Sequence, residues 1–316
     1  MKKRAVSSLL AVLAAVSFTL PALATETAGN DEMPEEPAAE PSAAPVDEPA
    51  AESEPDSFVL LDGVPQFLEY EVRKGTTYVT VSSFVAMADP QATVEEEDGV
   101  VTVSSSRTGY VVDAEGNAAN MVLETLDMTV STQLPYIDVN GRCIYVKGSI
   151  TTVNGQVAAP IRKLAKLFNL DVSYDAAAKK ALLTHAPGCG AYIQSGDSYY
   201  DADSLYWLSH IIYAESGNQP LEGMIAVGNV VMHRVNDPQF PDNIYDVLFQ
   251  RNQFTPAGNG NINMTPNDQS VVAAKLVMEG VEVVPNALFF AQAGLVWFAS
   301  TSRPHVATIG AHEFFA

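Results

Sequence analysis

Histidine, cysteine and basic residues are scarce in this chain of 316 residues. It contains five His and two Cys, and 17 Lys and Arg stand against 38 Asp and Glu, giving a net charge of −21. The His and Cys residues do not cluster at the spacing of metal ligands, so we expect no metal site and no cofactor. The acidic excess disfavours nucleic acid and anionic membranes as partners, because both are negatively charged. We expect a monomer.

The two cysteines, Cys143 and Cys189, allow two interpretations. A disulfide between them would stabilise the fold by roughly 2–4 kcal/mol and would suit an oxidising compartment. Two free thiols fit the sequence as well. Neither residue has the sequence context of a nucleophile.

Long apolar runs are absent except at the N-terminus. Lys-Lys-Arg at positions 2–4 precedes an apolar run over 5–20, and Ala-Leu-Ala at 22–24 is typical of a cleavage site. This pattern predicts a secretory signal peptide over 1–24. No other segment approaches the length of a membrane span. We therefore expect a secreted or wall-associated protein with no membrane contact after the signal is removed.

The segment 25–57 is composed mainly of Ala, Pro, Glu, Asp and Ser, and it lacks Lys, Arg and aromatic residues. Such a composition buries too little apolar surface to offset the entropy of ordering, and its like charges favour an extended chain. We interpret it as a disordered acidic linker.

The next segment, 58–186, is predicted to fold as strands with one or two helices. It contains a degenerate internal repeat of strand, turn, strand, helix and hairpin. Asn-Gly and Asp-Gly pairs between alternating apolar residues indicate hairpin turns. The turns are predicted at 98–99, 140–141 and 154–155, and the helices around 82–87 and over 160–168.

Within this segment, the string APIRKLAKLFNLDVSYDAAAKK resembles the domain named for the N-terminal region of copper amine oxidases. The resemblance implies an α+β accessory module without catalytic activity. His185 is the only His of the segment, so copper binding is not expected. Attachment to the cell wall and simple spacing are both open as roles for this domain.

Two helices joined by a tight polar turn are predicted over 205–235. Leu205, Leu208, Ile211 and Ile212 share one face of the first helix, and Glu215 falls in the middle of that face. Burial raises the pKa of a carboxyl group, as a general acid near neutral pH requires. From spacing alone, Glu215 is either a catalytic acid or a hydrogen-bonded structural residue.

The second helix is apolar around most of its circumference. Asn218 or Gln219 is the expected N-cap, with Pro220 in the first turn. A narrow stripe of Glu222, Ala226, Asn229 and His233 interrupts the apolar surface. Such a stripe faces either solvent or a cleft.

These motifs carry a second resemblance. YAESGNQPLEGMIAVGNVVMHRV, then FP at 240–241, QFTP at 253–256 and a terminal IGAHEFF resemble the spore cortex-lytic (SleB-type) cell wall hydrolase family over 204–316. The resemblance implies a lysozyme-like, mostly helical domain with a small sheet. It also implies that Glu215 is the catalytic acid of a peptidoglycan-cleaving glycosidase, usually a lytic transglycosylase.

The other family positions fall on polar or aromatic residues of this chain. Glu222 matches a second acidic position, and Gln253 and Phe254 match the QF motif. The family commonly has Glu where this chain has Gln219. This departure puts activity in doubt if the position helps catalysis, and it is a mild change if the position only lines the cleft. The predicted substrate-binding residues are Glu222, Gln219, Asn229, Gln253, Phe254 and His312.

Later elements are predicted from caps and alternation. The segment 251–263 is expected to be a long polar loop, and Thr265 to cap a helix that Gly280 ends. Short strands are expected at ALFFA, LVWFAS and IGAHEFF over 283–316.

The expected fold is α+β in two domains, with a spacer between them. The predicted boundaries are 1–24 signal peptide, 25–57 linker, 58–186 accessory domain, 187–203 joint and 204–316 catalytic domain.

The expected function is exported cleavage of peptidoglycan glycan strands between N-acetylmuramic acid and N-acetylglucosamine, with Glu215 as general acid and base. A hydrolytic muramidase, an amidase and an inactive wall-binding protein remain alternatives. The sequence leaves open whether the substrate is spore cortex or vegetative wall.

Overall fold

The computed structural model describes residues 58–112, 118–186, 189–251 and 253–316. The predicted signal peptide and acidic linker lie outside the described residues. None of the helices found in the described part of the chain is long and apolar enough to cross a membrane.

The first part of the described chain is rich in strands. Their bounds are β1 Val59–Leu61, β2 Val64–Gln66, β3 Tyr70–Arg73, β4 Thr76–Thr80, β5 Thr93–Glu97, β6 Val100–Val112, β7 Ala118–Ser131, β8 Tyr136–Val139, β9 Arg142–Tyr145, β10 Thr151–Val153, β11 Gln156–Pro160, β12 Leu170–Asp175 and β13 Lys180–His185. Two helices, α1 Val81–Ala88 and α2 Ile161–Leu167, follow β4 and β11.

These strands form three sheets. Their orders are β12-β13-β1-β2, β10-β11-β4-β3 and β5-β6-β7-β8-β9. The middle of the second sheet joins β4 to β11, each of which runs into a helix. The order hairpin, helix, hairpin occurs at β3–β6 and again at β10–β13, and the internal repeat itself stays a prediction.

The predicted tight turns are confirmed. Asp98-Gly99, Asn140-Gly141 and Asn154-Gly155 each have positive φ at both residues and connect paired antiparallel strands. This is the conformation of the two-residue turns that match the twist of a hairpin. The long pairing of β6 with β7, from Val100↔Ser131 to Val112↔Ala118, was not predicted.

A large hydrophobic core lies beneath these sheets and both helices, and a small separate cluster joins Tyr78, Val153 and Ala158. The large core includes Phe84 from α1, Leu164 from α2 and Val101 from β6, all fully buried. The apolar face predicted for α2 is therefore the buried face, since Ile161, Leu164 and Ala165 are all buried.

The second part of the described chain is mostly helical. Its helices are α3 Gly196–Tyr199, α4 Ala202–Ser216, α5 Leu221–Asn236, α6 Ile244–Leu248, α7 Thr255–Asn259 and α8 Asp268–Met278. A single turn of 3₁₀ helix, Asn261–Asn263, follows α7. Helices α4, α5 and α8 enclose a second core that includes Leu208, Met224 and Leu276.

A small antiparallel sheet closes the chain, with α9 Phe298–Ser302 between its strands. Its strands are β14 Phe289–Gln292, β15 His305–Ile309 and β16 His312–Phe315, in the order β14-β16-β15. The predicted mostly helical region with a small sheet is present, and the described protein is a mixed α+β structure.

Several local predictions are corrected. The LVWFAS segment ends in α9 and is not a strand, because Ser300 Oγ accepts a hydrogen bond from the Trp297 N–H and starts a helical turn. The predicted loop 251–263 contains α7 and the 3₁₀ turn. The cap of α8 is Asn267, whose side chain accepts from Ser270 N, and not Thr265. The N-cap of α5 is Pro220, with no side-chain cap.

A buried ion pair joins the two parts. Arg142 on β9 donates from Nε to Glu279 Oε1 at 2.7 Å and from Nη2 to Glu279 Oε2 at 2.8 Å, just after α8. Tyr200 Oη donates to the same carboxylate at 3.0 Å, and the Tyr199 ring lies 3.4 Å from the guanidinium. Residues 54–316 form one compact unit, so the two-domain division stays a prediction.

Both described cysteines are free thiols. Cys143 is buried in the second core although it belongs to β9, and burial raises the pKa of its thiol to about 12. Cys189 is exposed. Of the two interpretations of the cysteines, the structure has the free thiols.

We predict that Glu279→Gln destabilises the protein by about 3–5 kcal/mol, because the Arg142 charge then stays buried without its partner. Denaturant unfolding measures this change. The matched control is Glu71→Gln, which breaks an exposed ion pair with Arg73 and should change stability little. Equal effects of the two variants would contradict the prediction.

Candidate active site

Glu215 lies in the last turn of α4. The helix begins at an Asp201 cap, whose Oδ1 accepts from Ser204 N at 2.8 Å. Leu208, Ile211 and Ile212 are fully buried in the second core, which fixes the rotation of the helix. Glu215 is itself half-buried. The sequence prediction of an acid on the apolar face is confirmed.

The environment of Glu215 favours the neutral carboxylic acid. Burial raises its pKa from the ordinary value of 4.5 to about 7. None of the hydrogen bonds found among the described residues involves the Glu215 carboxyl group. A carboxyl group with such a pKa can donate a proton at neutral pH and can take it back.

The turn after Glu215 is held by two later segments. Asn267 Nδ2 donates to Gly217 O at 3.1 Å, and Ala311 N donates to Gln219 Oε1 at 2.8 Å. A Cβ on Gly310 would collide with the same Gln219 oxygen, so the β15–β16 turn approaches as closely as it does because residue 310 is Gly. The α4–α5 turn, the start of α8 and the β15–β16 turn thus meet beside Glu215.

Gln219 is therefore the residue that anchors the β15–β16 turn. Its Nε2 also donates to Asn218 Oδ1 at 3.0 Å. A Glu at this position would accept the same hydrogen bond from Ala311, so the departure from the family pattern preserves the anchor. Substrate contact by Gln219 stays a prediction.

Two further predicted site residues lie at the surface of this region. Glu222 is exposed in the first turn of α5, and Gln253 is exposed just before α7. His312 follows the Gln219 contact by one residue, and its buried Nδ1 has no hydrogen-bond partner. Burial lowers the pKa of His312, which favours the neutral ring.

Two predicted substrate-binding residues are buried. Asn229 is 4% exposed, and its side chain donates to Val281 O at 2.7 Å and accepts from Val283 N at 2.8 Å. The predicted polar stripe on α5 therefore does not face a cleft at Asn229, which instead fixes the chain after α8. Phe254 is also buried at 4% exposure, and its ring lies 5.0 Å from the Arg234 guanidinium.

Arg234 is a buried cation that sequence reasoning missed. Its guanidinium also lies 5.2 Å from Phe240 and 5.5 Å from Phe289, and Nε donates to Leu288 O at 2.8 Å. Its Nη1 has no partner, and burial lowers its pKa to about 10. The signal in the sequence was an Arg in the last turn of an otherwise apolar helix.

Metal-ligating groups do not come together in the part of the chain that the structure describes: no three His, Cys, Asp or Glu side chains there are grouped as a metal site would require.

Part of the chain is similar to a known protein family. Residues 218–315 match the cell wall hydrolase family. Glu215 lies three residues before the matched segment, in the helix that leads into it.

Curated relatives of the cell wall hydrolase region are spore cortex-lytic enzymes. The proteins from Oceanobacillus iheyensis and Halalkalibacterium halodurans are each 31% identical over 120 residues, or 36% of this chain. The alignment covers 42% and 35% of those proteins, respectively. The chain thus spans less than half the length of the curated relatives it matches.

Two solved structures are similar as well. The catalytic domain of the germination-specific lytic transglycosylase SleB from Bacillus anthracis is 27% identical, with a TM-score of 0.35, over 39% of this chain and 100% of that chain. The catalytic domain of the Bacillus cereus SleB protein is 28% identical, with a TM-score of 0.35, over 37% of this chain and 92% of that chain.

We predict that Glu215→Gln stabilises the protein at high pH. The pKa of Glu215 in the folded state lies above its pKa in the unfolded state. Glu215 therefore does not destabilise the protein below about pH 4, and the free energy of unfolding falls as pH rises through 7. Replacing Glu215 should raise the free energy of unfolding by at most about 3 kcal/mol at pH 8 and should leave it almost unchanged at pH 4. Denaturant unfolding at both pH values measures this, with exposed Glu222→Gln as the control. The same gain at both pH values would contradict the prediction.

We also predict opposite outcomes for two variants of Gln219. Gln219→Leu removes the acceptor for Ala311 N, which should cost about 1 kcal/mol and accelerate exchange of that amide proton. Gln219→Glu keeps an acceptor oxygen and should leave the exchange slow. Hydrogen exchange of Ala311 in the two variants decides; equal exchange would show that this hydrogen bond does not hold the turn.

Proposed function

We propose that this protein is an exported enzyme that degrades peptidoglycan, and that it is a lytic transglycosylase with Glu215 as its only acid–base group. The half-buried Glu215 carboxyl group, with its pKa of about 7, carries the proposal. The match of 218–315 to the cell wall hydrolase family supports the class of substrate. The predicted signal peptide supports export.

One carboxyl group is sufficient for this reaction. Glu215 donates its proton to the oxygen that bridges N-acetylmuramic acid to N-acetylglucosamine, and the C1–O bond breaks. The resulting carboxylate then takes the proton of the muramic 6-hydroxyl as that oxygen bonds to C1. The products are an anhydro-muramic end and a free sugar end, with no net use of water. The same group acts first as acid and then as base, which a pKa near the working pH allows.

A hydrolytic muramidase is the second candidate. Most such enzymes need a second carboxylate, as nucleophile or as base for water. The observation that favours this candidate is Glu222, which is exposed at the start of α5, the helix that follows the Glu215 turn. An amidase and an inactive wall-binding protein are further alternatives. A chelator tests the amidase, and a product analysis tests the inactive protein.

We predict that Glu215→Gln lowers the release of soluble fragments from peptidoglycan by about 10²–10⁴-fold, because the amide of Gln is not acidic enough to protonate the bridging oxygen. Mass spectrometry of the wild-type products should find anhydro-muramic ends, and a chelator should leave activity unchanged. Activity should also fall as pH rises above 7, since the acid is then ionised.

The Glu222→Gln variant separates the two glycosidase mechanisms. It should retain cleavage and anhydro ends if Glu215 acts alone. Reducing ends in the wild-type products, together with loss of cleavage in Glu222→Gln, would replace the transglycosylase by the hydrolase. Binding to peptidoglycan without any product would favour the inactive wall-binding protein.

A further inference from the structure

Four aromatic side chains form a surface ridge, two from the first half of α4, one from α6 and one from the residue directly after α6. We call the side chains of Tyr206, Trp207, Tyr245 and Phe249 the aromatic ridge. The Trp207 ring lies 4.9 Å from Tyr206, 5.3 Å from Tyr245 and 5.5 Å from Phe249, in each case edge to face. Tyr245 and Phe249 lie 4.5 Å apart at a shallow angle of 30°.

The ridge is open to solvent. Tyr206, Tyr245 and Phe249 are 46%, 47% and 40% exposed, whereas the aromatic residues of the two cores are buried. Three adjoining rings left this exposed form an apolar patch, and such patches on a soluble protein usually mark a contact site.

A cavity of about 340 Å³ lies on one side of the ridge, lined by Trp207 and Tyr245 together with Ser204 and Asp203. Its walls are fixed, because Asp201 and Asn243 use their side chains as helix caps. Among the described residues, no hydrogen bond occupies Trp207 Nε1 or Tyr245 Oη, whereas the Ser204 side chain interacts with Asp201. The cavity thus combines aromatic faces with free donors and acceptors.

A second cavity, of about 530 Å³, adjoins the ridge at Phe249. Phe249 lines it with Gln250 and Thr255, and the buried Gln250 Oε1 has no hydrogen-bond partner. The Tyr245 ring lines the first cavity and the Phe249 ring the second, so each ring of this tilted pair borders a cavity of its own.

We propose that the aromatic ridge binds neutral N-acetylated amino sugars of a glycan strand, at a site separate from the bond that is cleaved. This inference takes its ligand class from the proposed function. The face of a pyranose ring presents C–H groups that suit the negative face of an aromatic ring, and its hydroxyl and amide groups suit the free donors and acceptors of the cavities.

Charge and distance support this ligand and this role. Asp201, Asp203, Asp242 and Asp246 surround the first cavity or the helix beside it, so an anionic wall polymer would be repelled. Trp207 precedes Glu215 by eight residues of the same helix, about 12 Å along its axis. The ridge therefore holds a strand beside the acid and does not touch the reacting atoms.

Intrinsic fluorescence can locate the binding, because the chain has only two Trp residues, Trp207 and Trp297. In the mature Glu215→Gln protein, Trp297→Phe leaves Trp207 as the single reporter. Titration with the tetramer of N-acetylglucosamine should give a saturable change in Trp207 emission. Calorimetry should then show at least tenfold weaker binding in the Tyr245→Ala, Phe249→Ala double variant. The matched control is Tyr174→Ala, which removes a tyrosine that is 54% exposed elsewhere.

Two results would overturn the inference. One is the absence of saturable binding, or binding that the double variant retains. The other is stronger binding of the de-acetylated, cationic tetramer that 0.5 M salt abolishes, since this would reflect attraction to the Asp side chains alone. Circular dichroism of the double variant checks that it folds.

Activity with Glu215 intact separates this inference from the proposed function. The Tyr245→Ala, Phe249→Ala variant should raise KM on intact glycan strands at least fivefold with little change in kcat. If the variant releases product with an unchanged KM, the proposed ridge site is wrong and the proposed enzymatic function stands. If the tetramer binds at the ridge but the wild-type protein releases no product, the ridge site stands and the proposed enzymatic function is wrong.

Discussion

The buried Arg142–Glu279 pair connects the two hydrophobic cores and so fixes the helix that carries the acid. Two charges taken out of water are tolerated only with bidentate geometry and further hydrogen bonds, and Tyr200 supplies one of these. Glu279 follows directly on α8, which packs against both α4 and α5. The same strand that provides Arg142 also places Cys143 in the second core. The strand-rich part of the chain therefore helps to hold the helices of the candidate active site in place.

The candidate active site lowers the stability of the fold at Glu215. The Glu215 carboxyl group is half-buried without a partner among the described residues, and its ionised form is destabilising there. By contrast, Asn229 and Gln219 lie in the same region with their amide groups satisfied. A partly buried acid whose pKa is strongly raised by burial is a candidate functional group, and Glu215 meets that description. The rings of the aromatic ridge are likewise exposed beside a well-packed core, which is the observation behind the proposed binding site.

Local chemistry made much of the fold predictable. The Asn-Gly and Asp-Gly turns and the α2 apolar face are properties of a few neighbouring residues, and each was found where the sequence placed it. Predictions weakened where two local signals competed. Thr265 and Asn267 can both cap a helix, and the Asn won because its side chain reaches Ser270 N. LVWFAS alternates like a strand, yet Ser300 turns it into α9.

By itself, the sequence determined that Glu215 lies on the apolar face of a helix, because helical periodicity over a dozen residues fixes that face. The tertiary structure alone decided what the polar residues contact. Gln219 meets Ala311 across 92 residues and Arg142 meets Glu279 across 137, and no short-range pattern encodes such pairs. Asn229 lies on a helical stripe with exposed Glu222, but the chain after α8 covers it. Burial depends on what packs against a face, and distant segments supply that.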